Sequence, residues 1–132
     1  MKVCGIISEY NPFHNGHLYQ VEIARKLTGC DYIVSIMSGN FLQRGCPAIM
    51  DKYNRSLMAI NAGVDLVLEL PNIYAISSAE YFATSACLTL ASLGTVDYLC
   101  FGAECDDIKL LSLIANTLIK EPESYSDSLF TL

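Results

Sequence analysis

Residues 3–18 read VCGIISEYNPFHNGHL, and this stretch decides the fold class. Val3–Ser8 is a short apolar run, which is typical of a buried strand. The polar segment behind it is stiffened by Pro12 and leads into an apolar repeat of helical spacing that ends at Thr28-Gly29. A buried strand, a short turn and an amphipathic helix together indicate the first unit of a parallel sheet.

The same alternation continues along the chain. Further strands rich in Val, Ile and Tyr are predicted at Tyr32–Met37, Val64–Leu70 and Val96–Phe101. The helical patterns that separate and follow the strands cover Leu18–Thr28, Tyr53–Ala62, Ala79–Leu93 and Asp106–Ile119. This order predicts an α/β fold: a Rossmann-like, doubly wound parallel sheet of four or five strands with helices on both faces.

Length and composition exclude several classes of protein. The chain has 132 residues, of which 52% are hydrophobic and 17% charged, so it can bury one sizeable core and is not disordered. No stretch reaches the roughly 20 apolar residues of a membrane span, and the start lacks a secretory signal. The six cysteines show no C-x-x-C spacing. We therefore expect free thiols, mostly buried, in a cytoplasmic protein without a membrane partner.

Charge is distributed unevenly along the sequence. The net charge is −6, which disfavours a stand-alone nucleic-acid binder. Residues 1–55 nevertheless carry six Lys and Arg against four acidic residues, whereas residues 56–132 carry two against ten. An anionic ligand is therefore expected to bind the first half of the chain.

The two histidines of the sequence, His14 and His17, lie in the opening turn of the first predicted helix. A helix N-terminus presents free N–H groups and a partial positive charge, and Gly16 leaves room for close approach. Imidazole N–H donors at this place suit the oxygens of a phosphate chain. Two alternatives remain open from the residues alone: a metal half-site completed by Glu9, and a simple helix cap.

Five segments carry a resemblance to a known family. They are GIISEYNPFHNGHLY at 5–19, MSGNFLQRGCPA at 37–48, DKYNR at 51–55, DLVLELP at 65–71 and FGAE at 101–104. Together they resemble the tRNA(Met) cytidine acetate ligase family, within the nucleotidyltransferase superfamily that carries the H-x-G-H motif. The resemblance runs from residue 1 to about residue 105 and concerns the N-terminal part of that family.

The resemblance implies a defined reaction and a set of ligands. Such enzymes activate acetate with ATP to form acetyl-adenylate, and then transfer the acetyl group to N4 of the wobble cytidine of elongator tRNA(Met). His14 and His17 are the implied catalytic residues, and Mg²⁺ is the usual companion of ATP. The implied ATP-binding residues are Ile7, Ser8, Glu9, Tyr10, Asn11, Pro12, Phe13, His14, Asn15, Gly16, His17, Leu18, Tyr19, Gln20 and Gly102.

Further polar residues are expected at the same edge of the sheet, where ligands bind in such folds. Candidate phosphate or acetate contacts, each of which is alternatively an ordinary surface residue, are Ser38, Asn40, Arg44, Lys52 and Arg55. Glu69 and Glu104 close predicted strands. They either orient magnesium or the cytidine amine, or make structural hydrogen bonds.

We expect residues 1–120 to form a nucleotide-binding catalytic domain and residues 121–132 to begin a linker or further helix that is truncated. The family's downstream half, with other ATP contacts and much of its tRNA surface, is not matched, so weak or no tRNA binding is expected of this chain alone. Two other functions stay open: an adenylyltransferase acting on a phosphorylated small molecule, and a nucleotide-binding fragment without activity of its own.

Overall fold

The computed structural model of the protein describes residues 1–120. The strands are β1 (Val3–Ser8), β2 (Tyr32–Ser38), β3 (Leu66–Leu70) and β4 (Tyr98–Cys100). The helices are α1 (Asn15–Thr28), α2 (Lys52–Asn61), α3 (Asn72–Ala75), α4 (Ala79–Ser92) and α5 (Ile108–Lys120). The linker or helix expected at 121–132 lies outside the described residues.

The described strands form one parallel sheet in the order β3-β2-β1-β4. The chain winds outward from β1 to β3 and then returns to place β4 on the other side of β1. The order therefore reverses between β1 and β4, and ligands of doubly wound sheets bind at the carboxyl edge beside such a reversal. The segment that leaves β1 lies at the carboxyl edge, beside the reversal between β1 and β4. The four parallel strands with this order confirm the predicted fold class.

Helices cover both faces of the sheet. On one face, Val21 of α1 and Ala59 of α2 pack into a core that contains Ile6 and Ile33. On the other face, the core joins Val34, Ile36 and Leu70 of the sheet to Ala75, Ala86 and Leu90 of α3 and α4. Two apolar layers thus hold the central strands from both sides, which explains why these strands are apolar without alternation.

Two strands are shorter than the sequence predicts. β3 begins at Leu66 rather than Val64, because the N–H of Val64 donates to the carbonyl of Ala59 and closes the end of α2. β4 covers Tyr98–Cys100 rather than Val96–Phe101, and the Asp97 carboxylate accepts the N–H of Val3 at 2.8 Å. At both strand entrances, the turn bond and the side-chain bond stand beside a backbone bond to the neighbouring strand, from Asp65 to Ile33 and from Asp97 to Val3.

The helix termini use conventional capping chemistry. Gly29 ends α1 with φ 60°, a left-handed conformation that glycine adopts without strain. Asp51 caps α2 by accepting the N–H groups of Tyr53 and Asn54, each at 3.0 Å. The hydrogen bond from the Asn54 N–H is the main cause that lowers the pKa of Asp51. The short helix α3, which the sequence did not predict, begins directly after Pro71.

The chain divides by its internal contacts into a unit of Met1–Phe101, which holds the sheet, and a unit that begins at Gly102 and contains α5. None of the helices within residues 1–120 has the length and apolar character needed to cross a membrane.

All six cysteines are free. Only Cys4 and Cys30 are buried, whereas Cys46 is exposed and Cys87, Cys100 and Cys105 are partly exposed, so the expectation that most of the thiols are buried is wrong. Burial raises the pKa of Cys4 to about 11.

Candidate nucleotide-binding site

The segment between β1 and α1 is anchored from below by Tyr10. This side chain is 1% exposed, and its hydroxyl accepts a hydrogen bond from Ser35 Oγ at 3.1 Å. Ser35 Oγ in turn lies 3.2 Å from Ser8 Oγ. The backbone of Tyr10 has φ 46°, so the chain turns sharply while the ring stays inside the core. The segment is therefore fixed to β1 and β2 before it reaches the histidines.

His14 and His17 cap α1 reciprocally. Nδ1 of His14 accepts the N–H of Gly16 at 3.1 Å, and Nδ1 of His17 accepts the N–H of His14 at 3.2 Å. A nitrogen that accepts a hydrogen bond carries no proton, so the proton of each neutral ring is on Nε2. The capping role and the phosphate-donor role are thus compatible, because capping uses Nδ1 and leaves an Nε2–H donor on each ring.

The two imidazoles form a small aromatic cluster with the residues of the turn. Their rings are stacked with centroids 3.8 Å apart. Tyr10 meets the His17 ring edge-on at 5.0 Å, and Phe13 lies 5.4 Å from it. Burial, and secondly the proximity of His14, lowers the pKa of His17 below its ordinary value. The cluster therefore favours a neutral His17, which donates a hydrogen bond without carrying a charge.

The loop that leaves β2, residues 39–51, is tied to the turn after β1. The Glu9 carboxylate accepts the N–H of Gln43 at 2.7 Å, and the Asn11 side-chain oxygen accepts the N–H of Ile49 at 2.7 Å. Within the loop, Phe41 and Pro47 form an antiparallel bridge. The exits of β1 and β2 thus build one continuous wall at the carboxyl edge of the sheet.

Arg55 lies beneath this wall and is fully buried. Its guanidinium donates to the backbone carbonyls of Glu9, Ser38, Gly39 and Met50. Burial lowers the pKa of Arg55, and the nearby carboxylates of Glu9, Asp51 and Glu69 act against that shift. With four of its five N–H groups engaged and no exposed surface, Arg55 does not fit the direct phosphate or acetate contact expected for it; it positions the two loops instead.

The other candidate contacts are in different environments. Ser38 is buried, and its Oγ has no hydrogen-bond partner among residues 1–120. Asn40 is exposed, and its side-chain oxygen accepts the N–H of Lys52 at 3.0 Å. Lys52 forms a 2.6 Å ion pair with Glu69, and this hydrogen bond raises the pKa of Lys52. Arg44 is exposed on the loop and makes no ion pair within the described part of the chain.

The implied ATP-binding segment Ile7–Gln20 is continuous in space as well as in sequence. It comprises the end of β1, the turn and the first two turns of α1. His14, Asn15 and Gly16 are exposed at its outer side, whereas Tyr10 is buried below it. Gly102 and Glu104 belong to the unit that begins at Gly102, and their roles stay predictions.

Within residues 1–120, no group of three or more His, Cys, Asp or Glu side chains is arranged to hold a metal ion. Magnesium that accompanies a nucleotide needs few protein ligands, because phosphate oxygens and waters complete its coordination. The Glu9 carboxylate, beside the turn, has one oxygen engaged by the Gln43 N–H.

Comparison with known proteins fits this geometry. The family described as HIGH Nucleotidyl Transferase matches residues 1–131. The chain belongs to the HIGH nucleotidyltransferase family. It is 57% identical, over 98% of its own length, to the tRNA(Met) cytidine acetate ligase of Acetivibrio thermocellus. It is 58% identical, over 93% of its length, to the enzyme of the same name from Clostridium kluyveri. The chain spans 31% and 30% of these two relatives.

Solved structures support the same family fold. The chain is similar to Thermotoga maritima TmcAL in its crystal structure bound with alpha-thio ATP, with a TM-score of 0.89 and 47% identity. That match covers 96% of this chain and 31% of the other. A lipopolysaccharide core biosynthesis protein from Thermoplasma volcanium shares the fold alone, at a TM-score of 0.51 and 17% identity.

The sequence pattern does not identify the residues that lie beneath His14 and His17. Tyr10 belongs to the implied ATP-binding segment, and its buried side chain lies against the ring of His17. Gly39 was not singled out, although a Cβ there would overlap the Glu69 carboxylate. Its position directly after a buried strand is the sequence feature that could have indicated Gly39. The sequence does not indicate that Glu69 is the side chain that approaches it, because that depends on the register between β2 and β3.

Proposed function

We propose that this chain is the ATP-binding, adenylate-forming part of a tRNA(Met) cytidine acetate ligase. The observation that carries the proposal is the pair of Nε2–H donors which the reciprocal histidine cap leaves at the start of α1. The names of the relatives support acetate, cytidine and tRNA(Met) as the other reactants. The ATP analogue bound by Thermotoga maritima TmcAL supports ATP as the nucleotide.

In the proposed first step, a carboxylate oxygen of acetate attacks the α-phosphorus of ATP. The bond from that phosphorus to the bridging oxygen of pyrophosphate breaks, which yields acetyl-adenylate and pyrophosphate. Negative charge grows on the phosphate oxygens during this step. The Nε2–H groups of His14 and His17 and the first-turn N–H groups of α1 stabilise that charge as fixed hydrogen-bond donors.

In the proposed second step, N4 of the wobble cytidine attacks the acetyl carbon and AMP leaves, while N4 loses a proton. An aromatic amine is a poor nucleophile, so the prior activation of acetate is necessary. The net charge of −6 gives this chain little attraction for the phosphates of tRNA. We therefore propose that tRNA(Met) binds the full-length enzyme and binds this chain alone weakly or not at all.

Acetate-dependent exchange between pyrophosphate and ATP tests the first step. The measurement uses a protein of the relatives' full length that contains this chain. His14→Ala and His17→Ala are each expected to lower the exchange rate by about 10²- to 10³-fold, the usual cost of removing one preorganised donor. Lys26→Ala, an exposed cation in the last turn of α1, is the matched control and should exchange normally. Unchanged exchange in both histidine variants contradicts the proposal.

The choice of acceptor separates this reaction from that of a plain adenylyltransferase. Acetate should drive pyrophosphate release, whereas phosphomonoesters should not. Release driven by a phosphomonoester and not by acetate would assign the chain to an adenylyltransferase. ATP binding without release by either acceptor would leave it as a nucleotide-binding fragment.

A further inference from the structure

We propose that the groove between α2 and the edge strand β3 binds a pyrimidine base through its exocyclic amine. Glu69 accepts a hydrogen bond from the amine, and Tyr53 stacks on the ring. We call this the α2–β3 groove, and its lining residues are Met37, Lys52, Tyr53, Ser56, Val67 and Glu69. The identity of the base as cytosine rests on the proposed function.

The size of the α2–β3 groove favours a single ring. Its volume is about 260 Å³, below the roughly 300–1,000 Å³ of pockets that enclose drug-sized ligands. Met37, which is almost fully buried, and the half-buried Val67 form an apolar surface in it. A flat, largely apolar ring covers such a surface better than a small hydrated anion does.

The charges at the rim favour a neutral ligand with a donor beside an acceptor. Lys52 Nζ lies 2.6 Å from Glu69 Oε2, so the rim carries a cation and an anion in contact. Acetate or phosphate would gain from Lys52 but would be repelled by Glu69. Cytosine presents an amine donor next to the N3 acceptor, which matches this pair, whereas uracil presents a carbonyl oxygen to the carboxylate.

The absence of a side chain at Gly39 leaves room for the Glu69 carboxylate. A Cβ built on Gly39 would overlap Glu69 Oε1, so only glycine lets the carboxylate lie against the exit of β2. The Glu69 side chain is still 45% exposed, which keeps it available to a ligand. The groove therefore contains a carboxylate that is both held in place and accessible.

Tyr53 offers an aromatic surface beside this carboxylate. The residue is 74% exposed, and its ring lies 5.5 Å from Lys52 Nζ. A large aromatic ring in water is a typical platform for an unstacked base, and such stacking commonly strengthens binding by about tenfold or more.

The groove lies beside the nucleotide turn rather than within it. Ser8, Met37 and Glu69 occupy one register row across β1, β2 and β3. Two strand spacings separate the first Cα from the last, roughly 10 Å. Ser8 is the last residue before the turn that leads to the histidines. The α2–β3 groove and the histidine turn therefore adjoin along one edge of the sheet, close enough for the amine of a base in the groove to meet an acetyl group held at the turn.

Titration of this chain with cytidine and with uridine tests the α2–β3 groove directly. Both probes lack phosphate and so do not compete for the histidine turn. In NMR spectra, cytidine should shift the resonances of residues 52–56 and 67–69 and bind about tenfold more tightly than uridine. Glu69→Gln should abolish this preference, because an amide offers both a donor and an acceptor. Equal affinity of the native chain for both nucleosides overturns the proposal.

Aromatic variants and a matched control complete the titration. Tyr53→Ala should weaken cytidine binding by about tenfold, whereas Tyr53→Phe, which keeps the stacking surface, should bind as the native chain does. Glu22→Gln, at an exposed carboxylate on α1, should leave the cytidine preference unchanged. Nucleoside-induced shifts confined to the histidine turn would also overturn the proposal.

The two half-reactions of the full-length protein separate this inference from the proposed function. Tyr53→Ala should lower kcat/KM for acetyl transfer to tRNA by about tenfold or more, with acetate-dependent exchange reduced less than threefold. An equal loss in both half-reactions overturns the inference. A native enzyme without acetate-dependent exchange overturns the proposed function instead, and the nucleoside titration still decides the groove.

Discussion

At the scale of single residues, His14 and His17 each use their two ring nitrogen atoms for different purposes. Nδ1 of each ring accepts a backbone N–H at the start of α1, which fixes the rotation of the ring and the position of its proton. Nε2 then remains for a ligand. Removing a histidine therefore removes a helix cap as well as a donor, and stability has to be measured alongside activity.

His17→Gln separates the titration of His17 from its capping role. Glutamine at this position can still accept the His14 N–H, as in a capping box, but it does not ionise. The pKa of His17 is lower in the folded state than in the unfolded state. As the pH falls below about 6.5, the imidazole of His17 is therefore protonated to a greater extent in the unfolded chain than in the folded chain. The free energy of unfolding should therefore decrease on acidification, and it should decrease less in His17→Gln than in the native protein.

Urea denaturation followed by circular dichroism at about pH 7.5 and about pH 5 provides the measurement. The comparison between the two proteins cancels the contributions of the carboxylates, which are common to both. An identical pH dependence in His17→Gln would contradict the lowered pKa.

Arg55→Lys tests the buried guanidinium. A lysine keeps the positive charge, but its single ammonium group cannot reach all four carbonyl oxygens that Arg55 joins. Leaving buried carbonyls unpaired should lower the free energy of unfolding by about 2–4 kcal/mol. Arg44→Lys, on the exposed loop, is the control and should change it by less than about 0.5 kcal/mol. Equal stability of the two variants in urea would contradict the positioning role.

At the scale of elements, the approach of α4 to β1 depends on one missing side chain. A Cβ on Gly5 would lie 2.8 Å from Leu90 Cδ1, and Leu90 is 2% exposed and cannot move into solvent. Gly5→Ala should therefore lower the free energy of unfolding by about 1–3 kcal/mol through overpacking. In a double-mutant cycle, Leu90→Val should recover part of this loss, and the absence of coupling would show that α4 shifts as a whole.

The sequence predicts the elements of this fold better than their ends. Strands such as Val3–Ser8 were found in full because they are buried on both faces and therefore uniformly apolar. The entrance of β3 depends on a bond between Val64 and Ala59, and such turn bonds leave no apolar pattern. α3 spans only four residues, Asn72–Ala75, which is too short to show a helical repeat.

At the site too, features set by neighbouring residues could be predicted from the sequence, whereas features set by contacts between distant residues could not. The H-x-G-H spacing predicts the turn and the start of α1, because both are local. Arg55 lies among polar neighbours on α2 that resemble an exposed face. Its burial follows from carbonyl partners up to 46 residues earlier in the chain, a relation that one sequence does not display.

At the scale of the whole molecule, nucleotide binding should couple to the stability of the unit formed by Met1–Phe101. A ligand that binds only the folded state at about ten times its Kd adds about 1.4 kcal/mol to the free energy of unfolding. ATP should therefore raise the Tm of the native chain in a thermal melt, and it should raise that of His14→Ala much less. Sodium sulfate at equal ionic strength controls for nonspecific anion effects, and an equal rise in both proteins would contradict binding at the histidine turn.

Arg55 also has a mechanical consequence for the wall at the carboxyl edge. One cation joins carbonyl oxygens from the exit of β1, the exit of β2 and the approach to α2. If the chain after β1 or the chain after β2 moved by itself, its carbonyl oxygens would lose their hydrogen bonds to Arg55. The ends of β1 and β2 are therefore mechanically coupled, and a displacement of one of them is transmitted to the other through this side chain.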